Sequence, residues 1–272
     1  MRDYLFLAGE YHVTMPAVFT LDNWMHTMTA KKLVFSNNKL FREEVQGQSN
    51  SVENLKGLIF LADVLDKDLE ESNLRTIIKS KVKCWPDPEL LLRLSNRFLV
   101  LEECVKAGFV THKVELVAEG EEISLKTPFV IKTSRQHRGA DKFLINNLES
   151  LPKFSYASVE PFFEGDSVRI LFIGKKYFFY KIENKDSWIK NSLGGEIIML
   201  NNNDCPISLA RHAFKVKEHF NLEICGIDYI LNKDKFHFLE INQFPGLNPS
   251  DEVCETARKF LIKKMKEVEL GQ

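Results

Sequence analysis

The chain has 272 residues, 44% of them apolar and 28% charged, with a formal net charge of −1. That length buries a real core as one two-lobed unit or two small domains, and the composition excludes a disordered chain. A near-neutral balance supplies no general attraction to nucleic acid or to an anionic membrane.

The five cysteines, Cys84, Cys104, Cys205, Cys225 and Cys254, stand far apart with no CxxC pair. They read as reduced thiols of a cytoplasmic protein, not as a disulfide framework or a zinc site. No apolar run is long enough for a membrane span. Met1 to Phe6 lacks the apolar region of a signal peptide.

In chain order, Tyr4–Leu7, Lys32–Phe35 and Leu55–Leu61 are short apolar runs that predict strands. Asp66–Lys79 predicts a helix, so the first third has an α/β layer pattern. Trp85-Pro86-Asp87-Pro88 marks a boundary, with Asp87 as cap and Pro88 in the first turn of a helix through Leu90, Leu91, Leu94 and Phe98. A second helix over Leu99–Ala107 ends at Gly108. Strands follow at Phe129–Ile131, and a hairpin pairs Val168–Ile173 with Tyr177–Ile182. Leu209, Ala213, Val216 and Phe220 share one helical face. A second hairpin pairs Ile227–Leu231 with Phe236–Ile241, and a charged helix over Glu252–Glu267 closes the chain.

The segment Gly226-Ile227-Asp228, followed by Glu240-Ile241-Asn242 and Pro245-Gly246, carries the strongest chemical signal. Alternation along a strand puts Glu240 and Asn242 on one face, with Phe236 and Phe238 beside them. Such hard oxygen donors suit Mg²⁺ held partly by phosphates and water. In a simple two- or four-residue hairpin Asp228 points away from Glu240. It joins that face only with an odd turn or a bulge.

Three further segments point to a nucleotide. Lys132 ends an apolar strand, and the basic loop after it, with His137, Arg138 and Gly139, can lie over phosphates. Glu160-Pro161-Phe162-Phe163 forms a hinge on which a flat base can stack, Glu164 is placed for ribose hydroxyls, and Arg169 can stabilise an anionic intermediate. Lys190 and Asn191, before Gly194-Gly195, can hold the γ-phosphate and an acyl group. Each of these alone also fits a solvated loop or a surface ion pair; their order along one chain gives them weight.

Together and in this order, the segments from Trp85 to Lys259 resemble the ATP-grasp superfamily. The best match is its RimK-type branch, with glutathione synthetase and synapsin as more distant relatives. The resemblance implies an α/β (α+β) protein in which two lobes clasp ATP, 86–158 the small lobe and 159–270 the large, after a small Rossmann-like α/β domain over 1–85. It implies ATP and one or two Mg²⁺ ions, with Mn²⁺ as a substitute. It places Asp228, Glu240 and Asn242 as metal ligands and Lys132 on phosphate. Arg97 stands where the family carries an earlier lysine, keeping the charge in a different geometry. The phosphate loop has fewer glycines than the family's, the GxDxR spacing is shifted at Asp166 and Ser167, and the Asn191-to-Gly194 gap is one residue short. The expected reaction joins a carboxylate to an amine through an acyl phosphate, with a small molecule or a peptide or protein tail as substrate, and without nucleic acid or membrane as partner. The alternatives are a kinase of this fold acting on a hydroxyl, and a synapsin-like ATP-binding module with little catalysis. The sequence assigns neither the substrates nor the oligomeric state.

Overall fold

The computed structural model describes residues 3–8, 24–28, 33–36, 39–43, 49–52, 55–61, 67–133, 141–185, 187–189, 195–233 and 235–271. The chain divides into two units, Met1–Ser95 with Gln243–Gln272, and Asn96–Asn242.

Runs of apolar residues buried on both faces favour parallel strands. Leu5 to Leu7 and Leu58 to Leu61 are such runs, each residue at most 1% exposed. They lie in β1 (Tyr4–Ala8) and β6 (Gly57–Leu61), separated in the chain by β2 (Trp24–Met28), β3 (Leu33–Ser36), β4 (Lys39–Glu43) and β5 (Ser49–Val52). Helix α1 (Lys67–Ser80), β7 (Lys83–Trp85) and α2 (Pro88–Leu94) follow. One sheet is parallel in the order β2-β1-β6-β7, while β3-β4-β5 is a separate antiparallel sheet. Asn73 of α1 binds β3, its side-chain oxygen accepting the Leu33 N–H at 2.7 Å.

The helix predicted through Phe98 stops earlier. Asp87 caps α2 as expected, but a second cap, Asn96, accepts the Phe98 N–H and starts α3 (Arg97–Lys106). Phe98 therefore belongs to α3. A cap side chain satisfies an amide that a continuous helix would bond internally.

The second unit holds two antiparallel sheets. The smaller contains β8 (Glu115–Ala118), β9 (Phe129–Lys132), β10 (Lys142–Ile145) and β11 (Tyr156–Pro161), in the order β10-β9-β11-β8. One face of it packs Val117, Phe129, Ile131, Ile145, Ala157 and Val159 against Ile123, Leu125 and Phe154. The larger contains β12 (Asp166–Ile173), β13 (Lys176–Glu183), β14 (Glu196–Met199), β15 (Ile224–Asn232) and β16 (Lys235–Asn242), in the order β14-β13-β12-β15-β16. Helix α4 (Ile207–His219) covers one face, burying Leu209, Ala213 and Val216 as the periodicity predicts. Its Phe214 and His212 lie edge-on against Phe172 and Tyr229 of the sheet.

The last helix, α5 (Asp251–Leu270), is capped by Ser250 and buries the stripe Val253, Ala257, Leu261, Met265 and Val268. It packs on β6 and β7 of the first unit. Full burial of Leu261 contributes roughly 2 kcal/mol. No helix among the described residues is long and apolar enough to cross a membrane.

Between β11 and β12 the chain turns at Gly165 with φ of +149°, and a Cβ there would stand 2.6 Å from the Leu231 carbonyl oxygen. Gly120 also has positive φ, at +86°, but in open space. Gly165→Ala is expected to lower the unfolding free energy by about 2–4 kcal/mol, and Gly120→Ala by about 1 kcal/mol. Urea unfolding measures both. Equal losses would rule out the Leu231 carbonyl as the cause.

Candidate active site

The larger sheet organises the acidic residues. Strands β15 and β16 pair Tyr229 with Phe238 but Asp228 with Glu240, so the register slips by one residue at Leu239. This bulge brings Asp228 and Glu240 directly opposite each other on one face. It meets the register condition that simple alternation could not satisfy. Gly226 pairs with Asn242, so Asn242 shares that face, two pairs further along.

The same bulge corrects one expectation. Phe236 and Phe238 do not flank Glu240. They lie with Tyr229 on the opposite face, 5.2 and 6.2 Å from the His212 ring of α4. A single inserted residue reverses the alternation, and the sequence pattern does not reveal where it falls.

The polar row continues across the sheet. Asp228 pairs with Arg169 on β12, and Arg169 with Tyr180 on β13. Arg169 forks onto Asp228, with Nη2 2.7 Å from Oδ2 and Nε on Oδ1. Burial alone would lower the Arg169 pKa; Asp228 outweighs it and raises the value well above the usual range. Burial raises Tyr180. Tyr180, Arg169, Asp228 and Glu240 thus form one cross-strand row on four adjacent strands.

The smaller sheet presents a basic ledge. Lys132 on β9 lies opposite Lys142 on β10 and opposite Ser158 on β11. Like charges placed directly opposite across strands are destabilising without anions nearby. Two carboxylates fill that role. Lys132 Nζ lies 2.7 Å from Glu160 Oε1, with His112 Nε2 3.7 Å from Oε2. Lys142 Nζ lies 3.4 Å from both oxygens of Glu240. Burial would raise the Glu160 pKa, but Lys132 and His112 outweigh it and hold the carboxyl at about 2. Burial lowers Lys142, with Arg97 and Lys132 adding to the effect and Glu240 opposing it.

Arg97, at the first turn of α3, donates to Asp141 at 2.7 Å and reaches Glu240 at 3.5 Å. Three positions before Glu240 on β16, His237 lies flat against Phe163, with ring centroids 3.6 Å apart and planes 5° apart. His112 meets the edge of the same stack, 4.9 Å from Phe163. Burial, with His112 and Lys235 nearby, lowers the His237 pKa, so its ring is neutral at neutral pH.

Of the residues singled out from the sequence, Arg97, Lys132, Glu160, Arg169, Asp228, Glu240 and Asn242 gather on these two facing polar surfaces. Pro161 ends β11, and Phe162 N–H donates to the Pro128 carbonyl. Glu164 is exposed and its carbonyl accepts from Asn232. His137, Arg138, Gly139, Lys190 and Asn191 lie outside the described residues. Sequence reading missed His112, Asp141, His237 and Tyr180, and gave Lys142 no place beside Glu240. The one available signal was Gly139-x-x-Lys142; the others lie far in sequence from their partners.

The residues fit a phosphate chain and a divalent cation. Among the described residues no three His, Cys, Asp or Glu side chains converge. The donor set is two carboxylates and the Asn242 amide, which leaves positions for phosphate oxygens and water, as Mg²⁺ favours. On the ledge beside Lys132, the fully buried Ser158 Oγ has no hydrogen-bond partner among the described residues.

No family model matches the chain, and no curated protein matches it. Solved structures do. A D-alanine–D-alanine ligase from Helicobacter pylori matches 97% of this chain and 98% of its own, at 16% identity and a TM-score of 0.63. D-alanyl-alanine synthetase A from Vibrio cholerae matches over 98% and 99%, at 12% identity and a TM-score of 0.71. A RiPP-associated ATP-grasp ligase from Chryseobacterium gregarium, in complex with ADP and a leader and core peptide, matches over 97% of each chain, at 13% identity and a TM-score of 0.65. Over nearly its whole length, this chain has the ATP-grasp fold.

Proposed function

We propose that this chain is an ATP- and Mg²⁺-dependent ligase that joins a carboxylate to an amine. The observation that carries the reading is the meeting of Lys142 and Arg97 at Glu240, which lies opposite the Arg169-bound Asp228. A basic ledge facing paired carboxylates suits polyphosphate and metal together.

When bound, ATP supplies the phosphoryl group that activates the carboxylate as an acyl phosphate, and Mg²⁺ neutralises the charge on the phosphates. Asp228, Glu240 and Asn242 would hold the metal. Lys132, Lys142 and Arg97 would hold phosphate oxygens, with His137, Arg138 and Gly139 closing over them. Glu160 to Phe163 would carry the base and Glu164 the ribose. A guanidinium has five N–H donors. Arg169 spends two on Asp228 and would offer another to the oxyanion formed as the amine attacks. Lys190 and Asn191 would orient the acyl group.

The matched structures include D-alanine–D-alanine ligases and a ligase bound to a leader and core peptide. Free amino acids and peptide tails are therefore both candidate substrates. The RimK-type branch remains the proposed placement, on motif spacing alone.

Release of ADP across a pool of carboxylates, with and without amines, tests the reading. Turnover should need both partners and fall about a hundredfold or more in Glu240→Ala. Turnover that follows a hydroxyl acceptor would replace the ligase with a kinase.

A second test separates the structural and binding roles of Lys132. Lys132→Met leaves Glu160 buried without its main partner, and is expected to cost about 3–5 kcal/mol. Adding Glu160→Gln should restore most of that stability but not nucleotide affinity. Recovery of both would give Lys132 a purely structural role.

Glu160 also predicts a pH dependence. Its carboxyl falls from 4.5 to about 2 on folding. The stability it contributes is complete above pH ~4.5 and is lost as the pH falls toward 2. Glu160→Gln should therefore flatten the stability profile between those limits, read by urea unfolding at stepped pH. An unchanged slope would refute the depressed value.

A further inference from the structure

Resting on the ATP reading above, we infer that His112, which lies outside every segment singled out from the sequence, reads the base. Glu160 takes the exocyclic amine of adenine, and His112 donates to the ring nitrogen N1 beside it.

His112 precedes β8, and its side chain is only 7% exposed. Neither of its ring nitrogens has a hydrogen-bond partner among the described residues. Nδ1 of His237 is left in the same state, with the two rings 6.1 Å apart. Ring contacts hold both side chains in place: Phe163 lies flat on His237 and meets His112 edge-on. Buried polar atoms without partners are costly and rare in folded proteins, and a bound polar group satisfies them. Among the described residues no three His, Cys, Asp or Glu side chains converge, so the imidazoles lack the third protein donor of a metal centre. Their acidic neighbour is Glu160, beside His112.

The spacing of His112 and Glu160 fits a shared ligand. Nε2 stands 3.7 Å from Oε2, too far for a hydrogen bond, yet two adjacent atoms on the edge of a flat base can reach both. The carboxylate favours the imidazole proton on Nε2, so His112 presents a donor. Glu160, its carboxyl held at about 2, presents only acceptors at neutral pH. Lys132 Nζ, 2.7 Å from Oε1, is a second donor, on the ledge it shares with Lys142. The three form a row of donor, acceptor and donor. Adenine carries the complement along one edge: N7 accepts, the N6 amine donates and N1 accepts. Lys132 stands on the phosphate ledge and so takes N7, the nitrogen nearer the sugar. His112 takes N1, the one farther away. Hypoxanthine reverses the last two positions. Its oxo group would face the Glu160 carboxylate, and its N1–H would face the Nε2–H of His112. A change of His112 tautomer relieves only the second clash, because Glu160 has no proton to give.

Calorimetry on the full chain with Mg²⁺ compares ADP, IDP and 1-deaza-ADP, which keeps the amine but lacks N1. The wild type should bind ADP about a hundredfold or more tightly than IDP, and about tenfold more tightly than 1-deaza-ADP. His112→Leu replaces a ring with two unpartnered nitrogens by an apolar side chain, so its urea midpoint should stay near that of the wild type. In this variant ADP and 1-deaza-ADP should bind alike, and the preference for ADP over IDP should fall about tenfold. A purely structural role for His112 would weaken all three nucleotides equally, and that result overturns the inference. Equal binding of ADP and 1-deaza-ADP by the wild type also overturns it, and that arm needs no variant to fold. Either result leaves the ligase reading standing. Failure of the wild type to bind any of the three would instead remove that reading and this inference with it.

Discussion

The site depends on two carboxylates held side by side. Asp228 and Glu240 sit directly opposite on neighbouring strands, an arrangement that repels unless cations stand close. The bulge at Leu239 creates the pairing, and Arg169 makes it tolerable by forking onto Asp228 from the next strand. Without the extra residue, Glu240 would turn toward α4 and the aromatic packing of Tyr229, Phe236 and Phe238. One inserted residue thus separates an apolar face from a charged one.

Both sheets of the second unit follow the same economy. Each has an apolar face that supplies stability and a charged face that costs some. In the smaller sheet the apolar side is Phe129, Ile131, Val159 and their neighbours. The other side sets Lys132 against Lys142, a pairing that packing alone does not require. Glu160 offsets the first lysine and Glu240 the second. The second of these contacts joins the two charged faces, so electrostatic balance on one sheet depends on the other.

Much of this was legible in the sequence where the signal is local. Apolar runs gave β1, β6 and β9, the helical stripe of Leu209, Ala213 and Val216 gave α4, and the two hairpins gave β12–β13 and β15–β16. Short edge strands such as β8, β10 and β14 were not legible, because four residues carry too little alternation to stand out. The acidic set was legible as residue types, but its geometry was not, because a bulge leaves no mark in composition. The partners of Arg97, Lys142 and Phe163 were hidden for another reason. Lys142 and Glu240 lie 98 positions apart, and no periodicity links positions so distant. His237 lies far in sequence from Phe163, yet its ring lies flat on it.

Arginine at position 97 follows from the same balance. An ammonium is a compact point charge, whereas a guanidinium spreads its donors along a rigid fork. Here one end of the fork closes on Asp141 at 2.7 Å while the other reaches Glu240 at 3.5 Å. A lysine in this place could bind only one of the two carboxylates closely. The fork instead fixes Arg97 firmly by Asp141 and touches Glu240 only lightly. A side chain anchored at one end and loosely engaged at the other can keep its place while its second partner changes.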